Sequence, residues 1–396
     1  MTKIRNKLLL AFILVALIPL IVLGGYALTN ISQSLRSINT SKLEDKVSLL
    51  SFEIEDFLKN VSDDLFYLRD SVPLQEMIRD MSTMNSEQFD SARQKLAQDF
   101  LAFSKHKKIY YQVRFLNADG MEVVRVDRNN GESKIIPEAR LQNKKNRYYF
   151  ADTAKLANGK LMISPLDLNR EHGKVEKPLR PVIRYGTPVY AQNGRLRGIV
   201  LFNVTADKFL DLVRKKNTSH EKVLFVDGKG FYYSHPDPAK AWGAKTDLAS
   251  GENFSQDYPA IAGQIVGSHT PVVMEQDKYL VAASPVFLDK GHTKLLGDIV
   301  DVVPTGVVFK SVTTFRNIFL GISAAVFLAT LFLAISLAKS ITDPIVYLTR
   351  MTHDMSKGKL ASAVSVSSRD ETKQLAESIE RLRKSMVILL KRVRNK

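Results

Sequence analysis

The chain has 396 residues, no cysteine and a formal net charge of +16. That charge divides as +3 over residues 1–7, +6 over 8–338 and +7 over 339–396, so no region is the clustered basic face that a nucleic-acid binder needs. The missing cysteines exclude disulfides, thiolate metal sites and a cysteine nucleophile, and leave the fold to its apolar core.

Two uncharged apolar runs set the layout. Leu8 to Leu28 is followed by no charge until Arg36, and Asn317 to Ala338 is closed by Lys339. At about 1.5 Å per residue, roughly 20 apolar residues cross a hydrocarbon core of ~30 Å, and both runs reach that length. A buried core helix rarely runs so far without a charge. The first run also has marks of a cleaved signal peptide: the basic start Lys3, Arg5 and Lys7, and the small-residue site Gly25-Tyr26-Ala27. Its length and its unbroken helical continuation favour an uncleaved anchor. The basic stub, and a tail with 13 basic and 6 acidic residues, put both termini in the cytoplasm and residues 29–316 in the periplasm. The tail charge suits anionic lipid headgroups.

Residues 29–72 read as one long helix. Leu43, Val47, Leu50, Ile54, Leu58, Val61, Leu65 and Leu68 recur at steps of four and three, with no proline before Pro73. Such a seam fits packing on its own domain, a dimer stalk, or both. Further helix is expected over 74–104. Period-2 segments then flank Asn117-Ala118-Asp119-Gly120, a hairpin signal, and more strands follow at Leu161–Ser164, Pro181–Tyr190 and Leu196–Val204. Short helices are expected at Tyr148–Leu156 and Asp207–Arg214. A second, smaller unit repeats the plan, with a hairpin about Asp227-Gly228-Lys229-Gly230, loop and helix over 243–268, and strands at Val272–Met274, Tyr279–Pro285 and Ile299–Val303.

This order resembles the double Cache sensor domains of bacterial receptors, in which two PAS-like modules hang on a long N-terminal helix. The likeness is carried by Gly194 to Val204, by Asp227, Gly230 and His235-Pro236-Asp237, and by Asn146 to Phe150, Ser164 to Asn169 and Pro181 to Tyr185. The last set is similar to the subfamily on sensor histidine kinases and diguanylate cyclases. The tail resembles a HAMP linker through Ile341-Thr342-Asp343-Pro344-Ile345, Gly358, Asp370-Glu371 and Leu375-Ala376-Glu377-Ser378. Leu375, Ile379, Leu382, Met386, Leu389 and Val393 step as a coiled-coil seam, and Ile341, Ile345, Leu348 and Met355 suit a shorter first helix. Pro344 is expected where a new helix starts, and Gly358 at the turn after it. Thr372-Lys373 departs from the apolar residue and glycine common in that family.

The expected fold is therefore α+β: a long N-terminal helix and two PAS-like Cache modules outside, two transmembrane helices, and a HAMP four-helix bundle formed by a homodimer. The expected division is a stub over 1–7, membrane helices over 8–28 and 317–338, a stalk and helical region over 29–104, a membrane-distal module over 105–218, a membrane-proximal module over 219–315, and HAMP over 339–396. HAMP nearly fills the last 58 residues. The chain is then expected to carry no output domain and to signal through a cytoplasmic partner. The alternative is that it is part of a longer kinase, chemoreceptor or cyclase.

No catalytic constellation stands out, and no cofactor or metal is expected. The seven histidines are scattered. His353-Asp354 superficially suggests a phospho-acceptor but fits a polar position ending the first HAMP helix. A membrane-anchored hydrolase lacks a paired nucleophile and base. A pocket for a small anionic or polar ligand needs Arg to pair it, aromatics to close over it, and an acid if it carries an amine. The first unit offers Arg125, Arg147, Tyr148, Tyr149, Ser164, Asp167, Arg184 and Tyr185. For the tyrosines the plainer role is core, and Arg125 is within reach of Glu122 and Asp127. Arg147-Tyr148-Tyr149 matches only part of the amino-acid-binding Cache pattern. Tyr232, His235 and Trp242 of the second unit are weaker candidates.

Overall fold

The computed structural model describes residues 4–394 apart from Ser82, Lys290 and Arg369, and falls into two compact units. One is Ser37–Val308; the other joins Met1–Arg36 to Phe309–Lys396. Lys3 of the stub and the side chain of Val393 lie outside the described residues.

Helix α1 runs Ile4–Leu58 as one piece through Pro19. The single helix expected over 29–72 ends close to its expected boundary but is broken once inside it. It stops at Lys59-Asn60, resumes as α2 (Val61–Arg69), and stops again before α3 (Val72–Asp80), where Pro73 sits in the first turn. The break at Lys59-Asn60 lets α2 follow the sheet. Val61, Leu65 and Leu68 of α2 are fully buried, and α2 packs on the strands Pro181–Tyr190 and Leu196–Thr205. Leu43, Val47, Leu50, Ile54 and Leu58 are buried too, in the chain's own core. The heptad-like spacing there belongs to a helix packed on its domain, and those positions leave nothing for a dimer stalk. Helix α4 (Ser86–His106) starts from a capping box, with Gln88 N–H on Asn85 Oδ1 at 2.9 Å and Asn85 N–H on Gln88 Oε1 at 3.0 Å.

The first sheet is built from β1 (Tyr110–Asn117), β2 (Glu122–Asn129), β3 (Glu132–Ile135), β4 (Met162–Ile163), β5 (Asp167–Leu168), β8 (Pro181–Tyr190) and β9 (Leu196–Thr205). A separate small hairpin pairs β6 (Arg170–Glu171) with β7 (Lys174–Val175). Helix α5 (Tyr148–Ala154) lies within this module and α6 (Asp207–Arg214) leaves it. The second sheet is β10 (Lys222–Val226), β11 (Tyr232–Ser234), β12 (Val272–Gln276), β13 (Tyr279–Phe287) and β14 (Leu295–Pro304), with α7 (Phe254–Asp257) and α8 (Pro259–Ile265) between β11 and β12.

The sheets share one antiparallel order, β2-β1-β9-β8-β4 in the first and β11-β10-β14-β13-β12 in the second. The repetition reaches the turn chemistry. Asn117 Oδ1 accepts N–H bonds from Asp119 and Met121 at 3.0 and 2.9 Å, and Asp227 Oδ1 accepts from Lys229 and Phe231, both at 2.8 Å. Each turn ends on a left-handed glycine, Gly120 (φ 79°) and Gly230 (φ 89°). On the closing strands, a Cβ at Gly198 or Gly297 would lie 2.0 Å from the carbonyl oxygen of Leu116 or Val226, so only glycine fits either place.

A short helix α9 (Thr305–Val308) ends the first unit, and in the other α10 runs Lys310–Ser356. Both α1 and α10 are long and apolar enough to cross a membrane. Pro344 does not begin a new helix, as the spacing suggests; α10 passes through it. A proline inside a helix removes one N–H bond to the preceding turn, so this one weakens a turn without ending the rod. The helix ends at Gly358 (φ 82°), where the N–H groups of Gly358 and Lys359 reach the carbonyls of Met355 and Asp354, both at 3.0 Å. Helix α11 (Glu371–Arg394) follows, capped by Asp370, whose Oδ1 accepts the Thr372 N–H at 2.9 Å. The connector is pinned between the helices. Val364 is buried with Leu348, Met355 and Ala376, and its N–H reaches Glu380 at 2.9 Å.

Candidate functional site

Alternation along the first sheet separates two faces. Val113, Phe115, Ile183, Tyr185, Phe202 and Val204 face the helices and form the main core. The opposite face carries Gln112 and Arg114 of β1, Arg125 and Asp127 of β2, Arg184 of β8 and Asn203 of β9, joined by register at Gln112–Asp127, Arg114–Arg125 and Arg184–Asn203. All six are buried. At the matching register of the second sheet stand Leu224, Val281 and Val302 where the first has Arg114, Arg184 and Asn203. There the face is closed by Phe254 of α7, Tyr258 between the two helices and Ile261 of α8. Tyr232 belongs to that apolar cluster, and Trp242 is buried in the main core.

The charged groups pair with one another, and Arg114 Nε is the network donor left buried without a hydrogen bond. Arg184 donates to Asp167 Oδ1 at 2.5 Å and Asn169 Oδ1 at 3.1 Å, and its backbone N–H reaches Ser164 Oγ at 2.8 Å. Arg114 donates to Asn203 at 2.6 Å and Glu122 at 3.4 Å. Arg125 forms a fork onto Asp127 with two 2.7 Å bonds and reaches Glu171 at 3.0 Å. Its ion pairs with Glu122 and Asp127 are the plainer role read from its sequence neighbours. Four cations, Arg114, Arg125, Lys144 and Arg184, thus stand among four carboxylates, Glu122, Asp127, Asp167 and Glu171. Buried charges persist only when paired and hydrogen-bonded, and here they are.

Helix α5 lays Tyr149 over this network. The guanidinium carbons of Arg184, Arg114 and Arg147 sit 5.2, 5.6 and 5.7 Å from its ring centre. Burial pushes the Tyr149 phenol up, but Arg114, Lys144, Arg184 and Arg147 outweigh it, and the net shift is downward. That is the signature of a local positive potential. Burial also opposes ionisation of Glu171, yet Arg125 and Lys144 with Gln112 hold its carboxyl down at about 2.

Six of the eight sequence candidates, Arg147, Tyr148, Tyr149, Ser164, Asp167 and Arg184, are drawn into one cluster. Tyr148 is 41 % exposed at its edge and donates to Asp167 at 3.1 Å. Arg125 joins through Glu171. Tyr185 is the exception. As the strand neighbour of Arg184 it points to the opposite face, in the helix-side core, so it does not line the site. Gln112, Arg114, Lys144, Asn169, Glu171 and Asn203 were missed. Three of them carried a signal, being polar residues at alternate positions of otherwise apolar strands.

A cleft of about 940 Å³ opens beside the cluster, lined by Tyr148, Ser164 and Asp167 from the first module and by Trp242, Asp247 and Lys294 from the second. The second module grips segment 163–170 across this cleft. Lys294 Nζ donates to the Ile163 carbonyl, the Leu168 N–H donates to Asp247 Oδ1 at 2.8 Å, and Arg170 donates to the Thr246 carbonyl at 2.6 Å. Burial, opposed by the Leu168 N–H and aided by Asp167, pushes the Asp247 carboxyl up to about 6.

Comparison with known proteins agrees with this architecture. A family model described as "Bacterial histidine kinase, sensor domain" matches residues 60–296, and a HAMP domain model matches 336–387. The extracellular domain of a protein described as a histidine kinase is similar at TM-score 0.58 and 21 % identity, over 72 % of this chain and 99 % of that one. A domain of a protein described as a sensory box/GGDEF family member from Vibrio parahaemolyticus is similar at TM-score 0.54 and 22 % identity, over 67 % and 96 %. The periplasmic sensory domain of the Campylobacter jejuni chemoreceptor Tlp1 is similar at TM-score 0.50 and 12 % identity, over 70 % and 98 %. At these identities the likeness is one of fold. No curated protein matches by sequence.

Proposed function

Since the chain belongs to the family of bacterial histidine kinase sensor domains, with a HAMP domain after it, we propose that it is a transmembrane receptor that takes a small anionic or polar molecule on the first module. The observation that carries the choice of module is the register comparison. Two sheets of one plan differ where Arg114, Arg184 and Asn203 replace Leu224, Val281 and Val302. Burying two arginines and an amide in place of three aliphatic side chains gains nothing in stability over the apolar alternative, even with the groups paired. A fold needing only a core would have filled both faces alike.

In this reading α1 and α10 anchor the receptor in the inner membrane, residues 29–316 are periplasmic and both termini cytoplasmic. The module over 105–218 is membrane-distal and that over 219–315 membrane-proximal. The ligand's differential affinity for two arrangements of the sensor shifts their populations. Strand β14 and α10 carry the shift to HAMP, which passes it to a partner by shape. The receptor works as a homodimer, because Leu375, Leu382 and Leu389 stand 49, 54 and 60 % exposed at seven-residue spacing on α11. No catalytic role is assigned to the residues of this chain.

The test is a metabolite screen by thermal shift on the full chain in nanodiscs. A ligand of the first module should raise Tm in the wild type, and Arg184→Ala should lose that response by about tenfold in affinity or more. A ligand that stabilises wild type and Arg184→Ala equally would remove the arginine face from the binding site.

A further inference from the structure

The β6–β7 hairpin has two residues per strand, closed by His172 (φ 50°) and Gly173 (φ 81°). It contributes no residue to an apolar cluster except Val175, so polar contacts at its two sides hold it in place. On one side Arg170 donates to the carbonyls of Thr246 and Asp247 in the second module, at 2.6 and 3.4 Å. On the other, Glu171 inserts its carboxylate into the first module. Oε1 accepts from Gln112 Nε2 at 3.2 Å and Arg125 Nη2 at 3.0 Å, and Oε2 accepts from Gln142 Nε2 at 3.1 Å and Lys144 Nζ at 3.4 Å.

Two cations and two amides converging on two oxygens are the donor set that recognises a carboxylate from solution. All four donors belong to β1, β2 or the loop at 142–144; only the acceptor arrives on a separate hairpin. The side chain of Glu171 is 22 % exposed, against 7 % for Arg125 and Lys144, so the acceptor lies at the mouth and the donors behind it. Simple removal of Glu171 would leave Arg125 its Asp127 fork but strip buried Lys144 of its carboxylate, with Gln142 Oε1 at 2.7 Å as its remaining acceptor, a costly state. Replacement by another carboxylate would not.

We propose that Glu171 is a built-in competitor for the carboxylate of the ligand, which displaces it from Arg125, Lys144, Gln112 and Gln142 and so frees the β6–β7 hairpin. The inference rests on the reading that the first module is the ligand site, and gives that ligand its chemical class. Freeing the hairpin also loosens Arg170 from residues 246 and 247, so occupancy of the first sheet is felt at the second module. The competitor lowers apparent affinity in proportion to the fraction of sites it fills.

The experiment uses the full chain in nanodiscs. An environment-sensitive dye on Lys174→Cys, the only thiol in the protein, reports the hairpin while leaving Glu171 in place. Acetate and succinate are the probes, acetamide the uncharged control. The dye should respond to the carboxylates and not to acetamide. Glu171→Ala should bind acetate about tenfold more tightly than wild type and recover with acetate the Tm it loses. Should Glu171→Ala fail to fold, Glu171→Gln serves for the same comparison. A silent dye, or equal stabilisation of variant and wild type by acetate, overturns the proposal. If an uncharged metabolite binds in an Arg184-dependent way while the dye stays silent, the sensor reading stands and the competitor falls.

Discussion

Asp298 shows how much a single side chain can be made to hold. It is 1 % exposed on β14; one oxygen accepts the Gly267 N–H at 3.1 Å and the other is buried without a partner. Burial pushes its carboxyl up to about 7, opposed by the Gly267 N–H and aided by the charge of Asp227. With its pKa raised on folding, the native state holds a proton that the unfolded chain releases near pH 4. Its stabilising contribution is therefore complete below about pH 4 and is lost as pH rises to about 7. Asp298→Asn, the neutral isostere, should flatten that fall and raise stability at pH 8 by on the order of 2–4 kcal/mol. Thermal unfolding of the full chain between pH 4 and 8 measures it; parallel curves for variant and wild type would refute the assignment. The same scale holds the misread candidate. Arg184 and Tyr185 were both candidates, one as a cation and one as an aromatic, but adjacent residues of a strand point to opposite faces.

At the scale of elements, α11 has two apolar surfaces with different fates. Ile379 and Met386 pack with Leu348, Met355 and Val364 inside one chain. Leu375, Leu382 and Leu389 remain open. A two-helix pair cannot shield both, so a second copy is expected on the open stripe. In the cysteine-free chain, Leu382→Cys should give a disulfide-linked dimer in oxidised membranes. Lys384→Cys, 67 % exposed and turned away from that stripe, should give far less. Equal crosslinking at both positions would mean random collision. The α1 seam shows why periodicity alone does not settle such questions. Its spacing is as regular as that of α11, yet its leucines are buried by the sheet of the same chain.

For the whole molecule, what was legible depended on the range of the interaction. Both hairpins, both glycine-ended turns and the repeated strand plan follow from local chemistry at Asn117–Gly120 and Asp227–Gly230, and stand where their residues imply. The end of the helix before Pro73 was legible to within a few residues, but the break at Asn60 was not, because α2 follows a sheet whose strands β8 and β9 lie more than a hundred residues away in sequence. The ionic network was half legible for the same reason. Arg184, Asp167 and Tyr149 come from one stretch of chain. Glu171 lies in that stretch too but shows its role only once the β6–β7 hairpin has folded against β1 and β2; Asn203 meets Arg184 when β8 pairs with β9, and Gln112 and Arg114 join when β1 pairs with β9.

Helix α10 is continuous from Lys310 to Ser356, about 70 Å at its ordinary rise. A rod of that length is a lever. A tilt of about 3° at its first turn carries its last turn sideways by about 4 Å, close to the width of a side chain. Repacking of the HAMP helices therefore needs no large motion at the start of α10. A change small enough to leave the sheets intact is amplified by helix length alone, and Pro344, where one turn lacks a hydrogen bond, is the joint at which the amplified swing can be turned.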